Sequence, residues 1–466
     1  MTADANANAD TKANSKEPKD LKDPPGPSGL LEGMRLLKAM RDDFPAHMAR
    51  LARDFGDAVG YSIAGVPLYQ FAHPDAAIEI LSTKNHAFQK PTQMRKVLGQ
   101  WNGSGLAVNE GESWVKQRRL VNPAFKPQRV QKHAGEVVRR ASAMLDTWRG
   151  RSEVDAARDL ARLTLGVVAE ALFGSEVEDR LDAFIDHVAA LNEEAFHEMS
   201  SPILLPMWAP TRSKRRIKAA TELLQSTAET FIAQRRRSGE DRGDLLSMML
   251  LARDDEGDGR QMNDRQARDE AVNLLLGGNE TTATGLTWAV YLLAKHPDAQ
   301  EEARSEIREV LGDEPPSAES LPRLKLTEMI FKEALRLYPP VYVVPREAKE
   351  DVAISGYRVK KGATIHVSTF VIQRDARWWS DPLAFKPRRF EAEDAIRRGA
   401  FLPFGAGPRA CIGRGFAMME ATLALACLLK RFRVALPDPS KEAEMEAQVS
   451  LHPKGGLRVA VEEIGS

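Results

Sequence analysis

Phe401–Gly415, FLPFGAGPRACIGRG, is the stretch that decides how this chain folds. Within it Phe404, Gly407, Arg409, Cys411 and Gly413 form the pattern F-x-x-G-x-R-x-C-x-G. From average residue usage, a chance match anywhere in the chain has a probability on the order of 10⁻⁵. The pattern has a chemical logic. Glycines let the backbone fold tightly beneath a sulfur, and the helix expected over Ile412 to Leu429 offers its positive N-terminal end, which favours a thiolate over a thiol. The same stretch contains Gly405-x-Gly407-x-x-Ala410, a match to the dinucleotide fingerprint. That reading fails because FLPF is a poor buried strand, Pro408 sits in the turn, and no acid lies about 20 residues on to hold a ribose. Cys427, inside the apolar run Ala421 to Leu429, takes the ordinary role of a free cysteine and packs as a small buried side chain.

Working outward, most of the chain has helical periodicity. The clearest helix runs from about Asp264 to Lys295, with Asn263 and Gln266 spaced as a capping pair and Pro297 just past its end. A helix of roughly 30 residues spans about 45 Å, enough to cross a whole domain. Its middle carries Gly277-Gly278-Asn279-Glu280-Thr281-Thr282, and two glycines cost roughly 1–2 kcal/mol relative to alanine. Either something packs closely there or the helix is loosened. Val59 to Ala72 reads as a hairpin around Gly65, and Val352 to Ser368 as a second small β region.

The 466 residues carry 66 basic and 66 acidic side chains, which excludes a protein whose main work is to coat nucleic acid. Two cysteines allow at most one bridge, so the chain is no disulfide scaffold. No apolar run reaches the roughly 18 residues of a spanning helix, so no membrane anchor is expected and the location expected is cytoplasmic. The opening MTADANANADTKANSKEPKD lacks the apolar core of a secretory signal. Residues 1–22 are expected to form a disordered tail, and 23–466 one large domain.

With these motifs in order, the sequence resembles the cytochrome P450 family, whose members hold haem iron through the cysteine pattern. Gly277 to Thr282 is similar to the family's oxygen-activating segment, Glu333-Ala-Leu-Arg336 to its E-x-x-R, and Lys386-Pro-Arg-Arg-Phe390 to the segment supplying a second arginine. The resemblance, covering roughly Pro24 to the end, implies a mainly α fold with small β-sheets and haem between the long central helix and the cysteine loop. It makes residues 23–466 a single haem domain.

The resemblance assigns roles residue by residue. Cys411 is the axial iron ligand, since thiolate ligation favours O–O cleavage. Phe404, Gly405 and Gly413 belong to the loop against the cofactor, with Phe404 shielding the sulfur. Trp114 and Arg118, four apart on one helix face, with Arg346 and Arg409, hold the haem propionates, for which guanidinium is suited. Glu333, Arg336 and Arg389 form a buried charge network behind the loop. Thr281 and Glu280 are the catalytic pair relaying protons during oxygen activation, Thr281 bonding back to the Gly277 carbonyl.

Those roles imply a haem-thiolate monooxygenase using haem b, non-covalent apart from the Cys–Fe bond. Some ω-hydroxylating relatives carry glutamate at the position of Gly277 and attach haem through it; glycine here predicts no such link. The retained acid–threonine pair favours O2 and electrons over peroxide. It also weighs against an oxygen-independent rearrangement and against a non-catalytic haem sensor. Electrons are expected from a ferredoxin or flavodoxin with its reductase, docking near Arg388 to Arg414, Lys116, Arg118, Arg119 and Lys126. By the same resemblance, and beside the central helix, Gln93 to Val108, Val341 to Val344 and Val449 to His452 are expected to line a pocket for a hydrophobic small molecule of the fatty acid, terpenoid, steroid or polyketide class.

Overall fold

Asn263 accepts from the Gln266 N–H while the Gln266 side chain accepts from the Asn263 N–H, so the expected capping pair starts the central helix, Asp264–Lys295. In the computed structural model of this chain, residues 21–28, 30–63, 65–174, 181–199, 201 and 204–464 are described. The tail expected at 1–22 lies outside them except for its last two residues; the Lys22 carbonyl accepts from the Arg358 N–H at 3.0 Å.

The central helix runs unbroken through its glycines. A Cβ at Gly278 would lie 2.9 Å from Val168 Cγ2, so this glycine lets the helix Ala156–Phe173 approach closely. Asn279 faces the same neighbour and accepts from the Thr164 hydroxyl at 2.8 Å. Gly277 meets nothing within 4 Å, and its absent side chain leaves open space instead. Of the two expectations, close packing holds at Gly278, whereas the helix is not loosened at either glycine.

Around this axis pack the helix Arg414–Arg431, which follows the cysteine, and Lys325–Leu337, which carries Glu333 and Arg336. Cys427 is buried in that packing, as expected. The helical core is one cluster with members from Val97 to Val459. At about 25 cal/mol per Å² of apolar surface, burial of this kind is the main stabilising term.

The expected hairpin forms as Ala58–Ile63 against Val66–Phe71, joined through Thr364–Val367 and Val344–Ala348 to Phe88–Gln89 in one five-stranded sheet. Val344–Ala348 is the strand that presents Arg346. A short hairpin, Met445–Ala447 with Leu451–Pro453, lies against the central helix. Trp288 fixes it there by donating to the Leu451 carbonyl at 2.7 Å.

Candidate active site

The cysteine loop is built by turns that its glycines permit. Gly405 and Gly407 have φ of 69° and 70°, in the left-handed region. A Cβ on Gly407 would fall 2.1 Å from the Leu81 carbonyl oxygen, so no side chain is tolerated where the segment Glu79–Thr83 crosses the loop. The Cys411 N–H then donates to the Phe404 carbonyl at 2.9 Å, closing the loop beneath the sulfur. No strand precedes it, which removes the dinucleotide-binding alternative.

Cys411 opens onto a cavity of about 400 Å³ whose opposite wall is Gly277, Gly278, Thr281 and Thr282 of the central helix. Trp114, Arg118, Arg346, Phe404, Gly405, Arg409 and Gly413 all line it. The Thr281 hydroxyl donates to the Gly277 carbonyl at 2.9 Å, as helical threonine was expected to do. The walls away from the sulfur are apolar, including Met94, Leu106, Leu274, Phe331, Val341 and Val344.

The four expected charges and aromatics on the rim are not equivalent. Arg409 is paired with Glu110 and lies over the Trp114 ring at 5.2 Å. Arg118 and Arg346 have no ion pair among the described residues. Arg346 is 8% exposed and donates only to the carbonyl of its neighbour Pro345; burial first, then Arg409, pushes its guanidinium down to about 10. The buried Arg346 and the half-buried Arg118 leave room for two carboxylates that the described residues do not supply. The donor set therefore fits an iron porphyrin: one sulfur for the metal, two guanidiniums for the propionates, apolar walls for the ring.

Lys90 also lines the cavity, held by the carbonyls of Leu106 and Asn109 at 2.8 and 2.7 Å, and sequence reasoning missed it. A single lysine in Phe88-Gln-Lys-Pro91 carries no pattern. Burial pushes its ammonium down to about 7, against the pull of Glu110.

The thiolate expectation needs correcting. Burial is the largest influence on Cys411 and raises its thiol above the ordinary value. Backbone N–H groups of Gly413 and Arg414 and the charge of Arg118 act the other way and do not overcome it. The helix end is therefore insufficient by itself, and a positive ion beside the sulfur would supply what is missing.

Behind the loop, Glu333 and Arg336 are fully buried, with Arg336 donating to both carboxylate oxygens at 2.7 and 2.8 Å and Arg389 Nε to Oε1 at 3.0 Å. The connection to the loop runs through Gln373, which sequence reasoning missed. Its carbonyl accepts from Arg336 at 2.8 Å, and its side-chain oxygen accepts from the Leu402 N–H at 2.8 Å.

Two other expectations change. Glu280 does not reach the cavity wall; its Oε1 accepts from Ser450 at 2.8 Å and lies 3.1 Å from His452 Nε2. Ser450 and His452 are therefore turned onto Glu280 and not into the pocket, while the other two expected segments, at Met94 to Ala107 and Val341 to Val344, do line it. Most cations of the expected docking region are already paired. Lys116 meets Asp258, Arg119 meets Asp254, Arg388 meets Glu302 and Glu391, and Arg397 meets Asp75.

A cysteine facing a long glycine-containing helix across an apolar cavity, with the buried Arg346 and the half-buried Arg118 unpaired among the described residues, is the arrangement of a haem-thiolate oxygenase. The family described as Cytochrome P450 matches residues 24–458, and the chain belongs to it. It is 34% identical to cyclooctatin synthase of Streptomyces melanosporofaciens, over 94% of this chain and 95% of that protein. Pentalenene oxygenase of Streptomyces avermitilis is 31% identical over 88% of this chain and 91% of its own length. Cytochrome P450 4F6 of Rattus norvegicus is 30% identical, with 95% and 87% covered. The chain is a cytochrome P450 monooxygenase, which uses haem iron, O2 and electrons from redox partners. Among the described residues no helix is long and apolar enough to cross a membrane.

Proposed function

We propose that this monooxygenase hydroxylates or epoxidises a compact apolar molecule, with a terpenoid as the favoured class. The observation that carries the reading is Cys411 facing Gly277, Gly278, Thr281 and Thr282 across an apolar cavity flanked by Arg118 and Arg346, unpaired among the described residues. The names of the relatives, a pentalenene oxygenase and a cyclooctatin synthase, support the substrate class.

In this reading the cofactor is haem b, held without a covalent link to the ring; when bound, it supplies the oxygen activation. Cys411 Sγ would be the protein's ligand to the iron, with N–H groups of Gly413 and Arg414 tempering its charge. Arg118 and Arg346 take the propionates, and Trp114 holds Arg409 and Glu110 as a lid over that edge. Phe404, Gly405 and Gly413 form the seat under the ring. Thr281 presents its hydroxyl side to the cavity, and Glu280 passes protons toward it from behind. Residues 23–466 form one haem domain, and the location is cytoplasmic, consistent with two unbridged cysteines.

Electrons come from a ferredoxin or flavodoxin with its reductase. Lys126, Arg398 and Arg414, which have no ion pair among the described residues, are the cations left to meet an acidic partner.

The test is spectroscopic. Cys411→Ser is expected to lose the red-shifted absorption band of the reduced carbon monoxide complex; retention of that band would remove Cys411 as ligand. Titration of the wild type with pentalenene and with lauric acid, read as a shift of the haem absorption, separates the terpenoid class from the fatty-acid class.

A further inference from the structure

Glu280, Thr284, Ser450 and His452 converge on the side of the central helix turned away from the cavity wall, and none of them lines that cavity. Thr284 lies one helical turn beyond Glu280, so both present to the Leu451–Pro453 strand that Trp288 pins in place. Ser450 and Thr284 are buried, whereas the His452 side chain is 28% exposed and the Glu280 side chain 13%. His452 is thus the member with most access to water.

The Thr284 hydroxyl lies 3.2 Å from His452 Nδ1, while Nε2 lies 3.1 Å from Glu280 Oε1 and 3.0 Å from Ser450 Oγ. With Thr284 donating to Nδ1, the ring proton is on Nε2 and is shared between the Glu280 carboxylate and the Ser450 hydroxyl oxygen. Ser450 in turn donates to Oε1 at 2.8 Å. Oε1 is therefore the oxygen that His452 holds both directly and through Ser450, and Oε2 receives no hydrogen bond from the described residues.

We propose that His452 and Ser450 are positioning residues for the oxygenation reaction. They hold Glu280 by Oε1 in one rotamer and leave Oε2 as the atom that takes a proton from water and hands it toward Thr281. The inference rests on the reading of Glu280 and Thr281 as the proton relay. Insertion of one oxygen atom with release of the other as water consumes two electrons and two protons. The electrons come from the redox partner and the protons from water through Glu280, which ends each transfer in the state in which it began. If protons arrive late, dioxygen leaves as hydrogen peroxide after taking the same two electrons and two protons.

The full haem-loaded chain serves for the test, with a generic ferredoxin, its reductase and NADPH, and no added substrate. The readout is hydrogen peroxide released per NADPH consumed; with no substrate to take an oxygen atom, the remaining electrons reduce dioxygen to two waters, four electrons and four protons per O2, a route that needs the same proton delivery. Glu280→Gln and Thr281→Ala are expected to raise that ratio. His452→Ala is expected to raise it about threefold, a fraction of what a full proton-transfer group contributes. His452→Gln, whose amide can still donate to Oε1, is expected to restore it, and adding His452→Ala to Glu280→Gln should change nothing further. The carboxylate infrared band that Glu280→Gln removes should shift in His452→Ala, a change that mere loosening of the pocket would not produce. A wild-type ratio and an unshifted band in His452→Ala, with Glu280→Gln still raised, would overturn the positioning role and leave the relay standing. Wild-type ratios in Glu280→Gln and Thr281→Ala as well would remove the relay and the inference together. Should His452→Ala fail to load haem, Ser450→Ala carries the same comparison.

Discussion

Arg336 and Arg346 are both buried side chains near the cysteine loop, and their surroundings are opposite. Arg336 is fully enclosed, with the Glu333 carboxylate on Nε and Nη2, the Ala384 carbonyl also on Nη2, and the carbonyls of Gln373 and Pro382 on Nη1. Arg346, at 8% exposure, has one carbonyl and a neighbouring cation. The first is neutralised by the protein itself and so belongs to the scaffold. The second has no such partner among the described residues, which is what the proposed role in binding a carboxylate ligand rests on. The contrast separates the arginines that hold the fold from those that hold a ligand, although both kinds are buried.

The sharpest way to break the contrast is to remove the scaffold carboxylate. Glu333→Ala leaves Arg336 buried and frees Arg389 and the Lys386 N–H as well. Breaking a buried pair from one side costs about 3–5 kcal/mol, a large share of the stability of a domain. The expected result is loss of folded, haem-loaded protein, measured as the absorbance of the carbon monoxide complex per milligram of chain. Near-normal haem content in Glu333→Ala would mean that the network is ornamental.

Glu270 is a third kind of buried charge, with hydrogen-bond donors and no cation bonded to it. Its carboxylate accepts from the Leu106 N–H, Gln117 and Asn273, clamping the cavity-lining loop at Leu106 and Ala107 onto the central helix. Burial outweighs those donors and raises it to about 7. A carboxyl raised on folding contributes stability that is complete below its unfolded value, near 4.5, and is lost as pH rises through 7. A shift of that size corresponds to at most about 3 kcal/mol. Denaturant midpoints of the wild type should therefore fall between pH 5.5 and pH 8 more steeply than those of Glu270→Gln. Parallel slopes would show that Glu270 titrates normally.

What the sequence made legible follows from distance along the chain. The capping of the central helix, the Thr281 bond to Gly277 and the shared face of Trp114 and Arg118 all involve residues within four positions, where helix geometry alone decides who meets whom. The cysteine loop was legible because its glycines sit at a backbone conformation or a close approach that other residues cannot adopt. Partners brought together by the fold left no local trace. Glu110 is 299 positions from Arg409, His452 is 172 from Glu280, and Gln373 reaches the loop 29 residues on. The thiolate expectation failed for a related reason: the helix end is a local feature, whereas the desolvation that opposes it comes from the whole surround. The expected cationic surface lost most of its free charge in the same way, to acids such as Asp258 and Glu302 contributed by distant segments.

The smallest expected effect tests the binding side of the contrast. Arg346→Ala removes a buried cation that has no carboxylate of the protein to strand, so the chain without haem should lose little stability and could gain some from relief of desolvation. The haem-loaded form should behave differently. Losing one charge-assisted contact to a propionate is expected to weaken haem retention about tenfold, or about 1.4 kcal/mol. Haem transfer to an excess of apomyoglobin measures the retention, and thermal unfolding with and without haem measures the two stabilities. Equal losses in both forms would place Arg346 with Arg336 in the scaffold, and the distinction between paired and unpaired arginine would no longer identify the binding groups of this cavity.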